Sequence, residues 1–112
     1  TRARGTLRLF DFGMAAQMSA PDAEELTSAS GTPGYAAPEL LAGQPYGAQV
    51  DVFSLGALLH TLLSGTEPFA AGSTNEVLCK NAVGRCTFCH PRWSSISPDA
   101  RRVVRRMLQP DP

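Results

Sequence analysis

Residues 48–64 read AQVDVFSLGALLHTLLS, and the fold is decided by how this stretch is read. Wound on a helix, Val50, Val52, Phe53, Leu55, Leu58, Leu59, Leu62 and Leu63 cover almost the whole circumference. A helix from Ala48 to Ser64 that is apolar on all sides is expected to be buried, so the rest of the chain should wrap around it. Gly65 supplies a C-terminal stop, and Pro68 bars continuation because it has no N–H to donate.

Upstream, Pro38 suits the first turn of a short helix through Glu39, Leu40 and Leu41, stopped by Gly43 and Pro45. From Gly5 to Phe10, Leu7 and Leu9 point one way while Thr6 and Arg8 point the other, which predicts a short strand. Residues 14–30 are rich in Ala, Ser, Thr and acidic side chains without a sustained apolar period, and read as a long loop. Downstream, a helix is expected from about Thr74 to Val83, ended by Gly84. The last helix has Ser97 as cap and Pro98 in its first turn. Val103, Val104, Met107 and Leu108 form its apolar stripe, opposite Arg101, Arg102, Arg105 and Arg106.

The 112 residues are 43% hydrophobic and 18% charged, which fits one globular unit with a core. Ten basic residues balance ten acidic ones, so net charge gives no attraction to nucleic acid or an anionic membrane. No signal peptide or membrane span is read, since Asp51, Ser54, His60 and Thr61 break the longest apolar stretch. Cys79, Cys86 and Cys89 cannot all pair within the chain, which favours a reducing compartment, cytosol or nucleus.

The expected strand runs into Asp11-Phe12-Gly13, and 24 residues after Gly13 comes Ala37-Pro38-Glu39, at the end of the run Gly31-Thr32-Pro33-Gly34-Tyr35-Ala36-Ala37-Pro38-Glu39. Together these resemble the two motifs that bracket the activation segment of protein kinases. Asp51-Val52-Phe53-Ser54-Leu55-Gly56 resembles the start of the buried central helix of the kinase C-terminal lobe, and Ser64-Gly65-Thr66-Glu67-Pro68-Phe69 its exit. The stretch from Pro91 to Ser97, with Ala100 and the ending Leu108-Gln109-Pro110-Asp111-Pro112, is most similar to the calcium/calmodulin-dependent kinase group.

The resemblance implies an α+β kinase fold, of which residues 1–112 form a mainly α-helical part of the C-terminal lobe. The activation segment would span 11–39 and the lobe's helices 48–112. It implies ATP and Mg²⁺ as cofactors and transfer of the γ-phosphate to serine or threonine hydroxyls of a protein substrate. Asp11 would be the Mg²⁺ ligand, because a hard cation takes carboxylate oxygens. Phe12 would pack to distinguish active from inactive arrangements, and Gly13 would give the backbone freedom to switch. Thr32 would contact the catalytic aspartate and help position substrate. Ser28, with Thr27 and Ser30 as competitors, would carry a phosphate added by an upstream kinase, unless the loop stays unmodified and solvated.

Glu39 and Asp51 would be architectural. One would pair with an arginine and the other hold the backbone of the catalytic loop, neither of which is in the chain, so both would lack partners; because a buried unpaired carboxylate is costly, the separate chain is expected to be strained or loose. The Gly-rich loop, the strand lysine and the His-Arg-Asp loop are likewise absent from residues 1–112, so the chain alone is expected not to turn over. Two rivals stay open: a pseudokinase that binds or scaffolds, and a truncated gene product.

Cys86-Thr87-Phe88-Cys89-His90 matches a haem-attachment pattern, and with Cys79 it suggests zinc. The kinase context makes free thiols the better reading. The arginine face of the last helix reads as solvated surface rather than a nucleic-acid site, and His60 as a helix-packing histidine.

Overall fold

The computed structural model describes residues 4–13, 15, 32–83, 86, 88 and 90–109. Among the described residues, four helices follow in chain order: α1 Pro38–Leu41, α2 Gln49–Ser64, α3 Thr74–Ala82 and α4 Pro98–Met107, with a 3₁₀ turn at Pro91–Ser95 between the last two. Their ends follow the local chemistry. At the end of α2, Gly65 adopts φ 76° and its N–H donates to the Thr61 carbonyl at 2.8 Å, a left-handed cap that glycine takes without a Cβ penalty. The Ser73 hydroxyl accepts from the Glu76 N–H at 3.3 Å, and Glu76 reaches back to the Gly72 N–H at 3.3 Å, which starts α3. Ser97 caps α4 in the same way, accepting from the Ala100 N–H at 3.1 Å.

The core gathers on one side of α2, which packs against α4 and the 3₁₀ turn. Ala37, Val50, Phe53, Ala57, Phe69, Trp93, Val104 and Leu108 are buried together, and the Phe53 and Phe69 rings stack at 5.9 Å. Gly56 allows α4 to approach closely: a Cβ there would lie 2.7 Å from Met107 Cβ. His60 is fully buried, and its Nδ1 lies 2.9 Å from the Thr66 carbonyl oxygen. Its ring packs 4.9 Å from Trp93 and 5.4 Å from Phe88, as expected of a packing histidine. Three hydroxyls in α2 bond back to carbonyls four residues earlier: Ser54 to Val50 at 3.0 Å, Thr61 to Ala57 at 3.0 Å and Ser64 to His60 at 2.7 Å. Polar side chains thus sit in an apolar helix without orphaned groups.

Two expectations need correcting. The segment Gly5–Phe10 forms no strand, and Leu7 is 99% exposed. A strand exists only as part of a hydrogen-bonded ladder, and no described segment lies alongside to pair with it. The alternation of Leu7 and Leu9 is present in the sequence, but among the described residues nothing covers either side chain. Helix α2 is also only half covered: Val52, Leu55, Leu58 and Leu62 are exposed, Leu62 at 70%. Its partners α4 and the 3₁₀ turn lie on one side, so the opposite apolar stripe meets solvent.

Candidate functional site

Asp11 holds φ 64°, a left-handed conformation uncommon outside glycine but easier for aspartate than for most residues. The Ala15 N–H donates to the Phe12 carbonyl at 3.0 Å, closing a turn on the far side of Phe12-Gly13. Asp11, Phe12 and Gly13 are all exposed, and a Cβ added at Gly13 would meet Asp11 Oδ1 at 3.6 Å. The carboxylate is therefore open to solvent, with no hydrogen bond or ion pair among the described residues.

A second turn carries Thr32. Its carbonyl accepts from the N–H groups of Tyr35 at 3.1 Å and Ala36 at 3.0 Å, while its side chain faces solvent. The chain then enters α1, where the Ala37 carbonyl accepts from Leu40 and Leu41. The turn is held from two sides. The Tyr35 hydroxyl lies 3.3 Å from Thr61 Oγ1 on α2 and donates to Glu67 Oε1 at 3.4 Å, and Asn81 Nδ2 of α3 donates to the Ala36 carbonyl at 2.9 Å. Beside the turn lies an open groove of about 440 Å³, lined by Pro33, Glu67, Gly72, Thr74 and Val77 among others. No hydrogen bond joins the Asp11 turn to the Thr32 turn among the described residues. Thr27, Ser28 and Ser30 lie outside the described residues.

The strain expected of the chain from unpaired Glu39 and Asp51 required their burial, and neither is buried. Asp51 is exposed and Glu39 half-exposed. Both side chains therefore reach solvent, and the burial that would make an unpaired carboxylate costly is not present at either position. Tyr35, Thr61 and Asn81 were not singled out in the sequence as site residues. Asn81 had one available signal, a polar residue one turn after Val77 on the same face of α3.

Among the described residues no group of three or more His, Cys, Asp or Glu side chains could hold a metal. Cys79 is an exposed free thiol and Cys86 a half-buried one, while Cys89 lies outside the described residues. Burial pushes the Cys86 thiol above its usual 9.0, with a backbone hydrogen bond and Arg105 pulling more weakly the other way. The arginines of α4 are partly used in packing: Arg101 Nη2 donates to the Trp93 carbonyl at 2.7 Å, and Arg105 lies over the Phe88 ring at 5.0 Å. Arg102 pairs with Asp99 at 3.2 Å on the surface. No described helix is long and apolar enough to cross a membrane.

The protein kinase domain family model matches residues 1–112. The chain is 41% identical over 106 residues to calcium/calmodulin-dependent protein kinase cmkA of Emericella nidulans, covering 95% of this chain and 25% of that protein. It is 32% identical over 113 residues to the calcium/calmodulin-dependent protein kinase type II alpha chain of Drosophila melanogaster, covering 100% of this chain and 21% of that protein. It is 38% identical over 109 residues to serine/threonine-protein kinase DCLK3 of Mus musculus, covering 96% and 13%. The chain thus spans a quarter or less of the length of these relatives. With all of its residues matched, and with the two turns in the order that the motifs require, this chain belongs to the protein kinase domain family and is part of one such domain.

Proposed function

We propose that the protein to which this segment belongs transfers the γ-phosphate of ATP to serine or threonine hydroxyls of protein substrates. The observation that carries this reading is the exposed Asp11 carboxylate, followed at once by Phe12-Gly13 and 24 residues later by Ala37-Pro38-Glu39. Asp11 fits one Mg²⁺ ligand: its oxygens are hard donors and nothing among the described residues occupies them. Asp11 would hold the ion as one of several oxygen donors, the nucleotide and water among the others. When bound, the ion offsets negative charge on the phosphates.

The chain's own part is positional. Asp11 would orient the nucleotide from one turn, while the turn from Thr32 to Ala37 receives the segment bearing the hydroxyl. The run Gly31-Thr32-Pro33 before Tyr35 supports serine/threonine rather than tyrosine specificity. Residues 1–112 hold no Gly-rich loop, strand lysine or His-Arg-Asp loop, so this segment by itself is not expected to turn over.

The test is phosphate transfer to serine and threonine peptides by the full-length protein and its Asp11→Ala variant. Transfer should fall by about a hundred- to a thousandfold, the scale of losing a principal electrostatic group. The melting temperature should fall by a few degrees at most, because the side chain is exposed and only the left-handed backbone at φ 64° disfavours alanine. Retained transfer in the variant would remove Asp11 from the metal site. Ser28 is the proposed phosphorylation site, ahead of Thr27 and Ser30. Mass spectrometry of the active protein should find phosphate there, and a fully active protein with an unmodified loop would count against it.

A further inference from the structure

We infer that Asn81 is a positioning residue for the protein substrate, acting by tethering the turn at Thr32–Ala37 to helix α3. This inference deepens the kinase reading and rests on it. Asn81 is fully buried, near the C-terminal end of α3, and its Nδ2 donates to the Ala36 carbonyl at 2.9 Å across 45 residues of sequence. One helical turn earlier, Val77 approaches the same turn: a Cβ added at Gly34 would lie 3.5 Å from its Cγ1. Helix α3 is itself fixed to the loop after α2, because Lys80 Nζ donates to the Ala70 carbonyl at 2.8 Å. The turn is therefore gripped from α2 through Tyr35 and from α3 through Asn81, which leaves Thr32 presented on the surface.

The chemistry of Asn81 argues for the tether rather than for packing. Its Oδ1 is buried with no hydrogen-bond partner among the described residues, so burying this amide carries a desolvation penalty. A leucine of similar size would fill the site without that penalty. The gain that offsets it is the donor aimed at Ala36. A substrate segment laid on the turn then meets a surface already ordered, and avoids the entropic cost of ordering it on binding.

The experiment has two arms and uses Asn81→Leu, which keeps the branching and heavy-atom count and removes the donor, and Asn81→Asp, which keeps the shape and replaces the amide donor by a carboxyl. In the full-length protein, hydrogen exchange of the Tyr35 and Ala36 amides should speed up about three- to tenfold in Asn81→Leu, the scale of one neutral hydrogen bond, and by more in Asn81→Asp, whose carboxyl would be buried against a carbonyl oxygen. The amides of α2 should keep their rates. In the full-length protein, KM for a serine peptide should rise by the same factor, with KM for ATP and kcat unchanged. Unchanged exchange and unchanged peptide KM would overturn the inference. So would loss of α2 protection together with the turn, which would make Asn81 a general packing residue. If the unsubstituted full-length protein phosphorylates no peptide while the exchange arm behaves as expected, the kinase reading falls and the tether stands.

Discussion

Cys79 and Cys86 lie seven residues apart and differ in what surrounds the sulfur, which makes their chemistry separable. Cys79 is on the exposed side of α3, whereas Cys86 is half-buried near Arg105 and its thiol is pushed above the usual 9.0, desolvation outweighing the guanidinium. Only the thiolate is nucleophilic. Iodoacetamide near neutral pH should therefore modify Cys79 well before Cys86, and the lag should close as pH rises past the usual thiol value. Peptide mapping by mass spectrometry at several pH values checks this, and equal rates at neutral pH would contradict it. The sign for stability follows from the same raised value. The fold favours the neutral thiol, so the contribution of Cys86 is fully present below 9.0 and is lost as pH climbs through its raised folded-state value. The environment of such a residue was not legible from the sequence. Asp51 and Glu39 show this most clearly, since motif position identified them while their exposure depended on which other segments are there to cover them.

Among the elements, the helices were legible almost to the residue, because their signals are local. Pro38, Gly65, Ser97 and Pro98 sit where α1, α2 and α4 begin or end, and each acts through its own backbone or through an N–H three residues on. The strand expected over Gly5–Phe10 failed because its stabilisation is non-local: alternation states which face would be buried, and only a partner strand can bury it. The 3₁₀ turn at Pro91–Ser95 was not anticipated as an element, since one turn carries no periodicity to read. The close approach of α2 and α4 was equally hidden, as Gly56 gives no sequence hint that Met107 lies opposite. Gly56→Ala should force those helices apart, because the added carbon would sit 2.7 Å from Met107 Cβ, an atom anchored to backbone. The expected net loss is about 1–2 kcal/mol, overpacking outweighing the gain in helix propensity. Urea denaturation should report a lower midpoint with an unchanged slope, and an equal or higher midpoint would show that α4 shifts freely.

Across the whole molecule, apolar surface is unevenly distributed. Val52, Leu55, Leu58 and Leu62 form an exposed stripe along α2, and Leu7, Leu9, Phe10 and Phe12 are exposed near the Asp11 turn. Surfaces of this kind on a separate soluble chain recruit apolar ligands or other copies. The purified 112-residue chain should bind an apolar fluorescent dye and associate more strongly as its concentration rises. Sedimentation together with dye titration checks this, and a monomer that ignores the dye at all concentrations would contradict the exposure of the α2 stripe. The opposite side of α2 offers a different consequence. The chain has one tryptophan, and it is sealed between His60 at 4.9 Å and Phe88 at 4.7 Å. All indole emission from these 112 residues therefore originates at the joint between α2 and the 3₁₀ turn. Its colour is a native optical gauge of that joint, blue while it is dry and red once water enters, with no label attached.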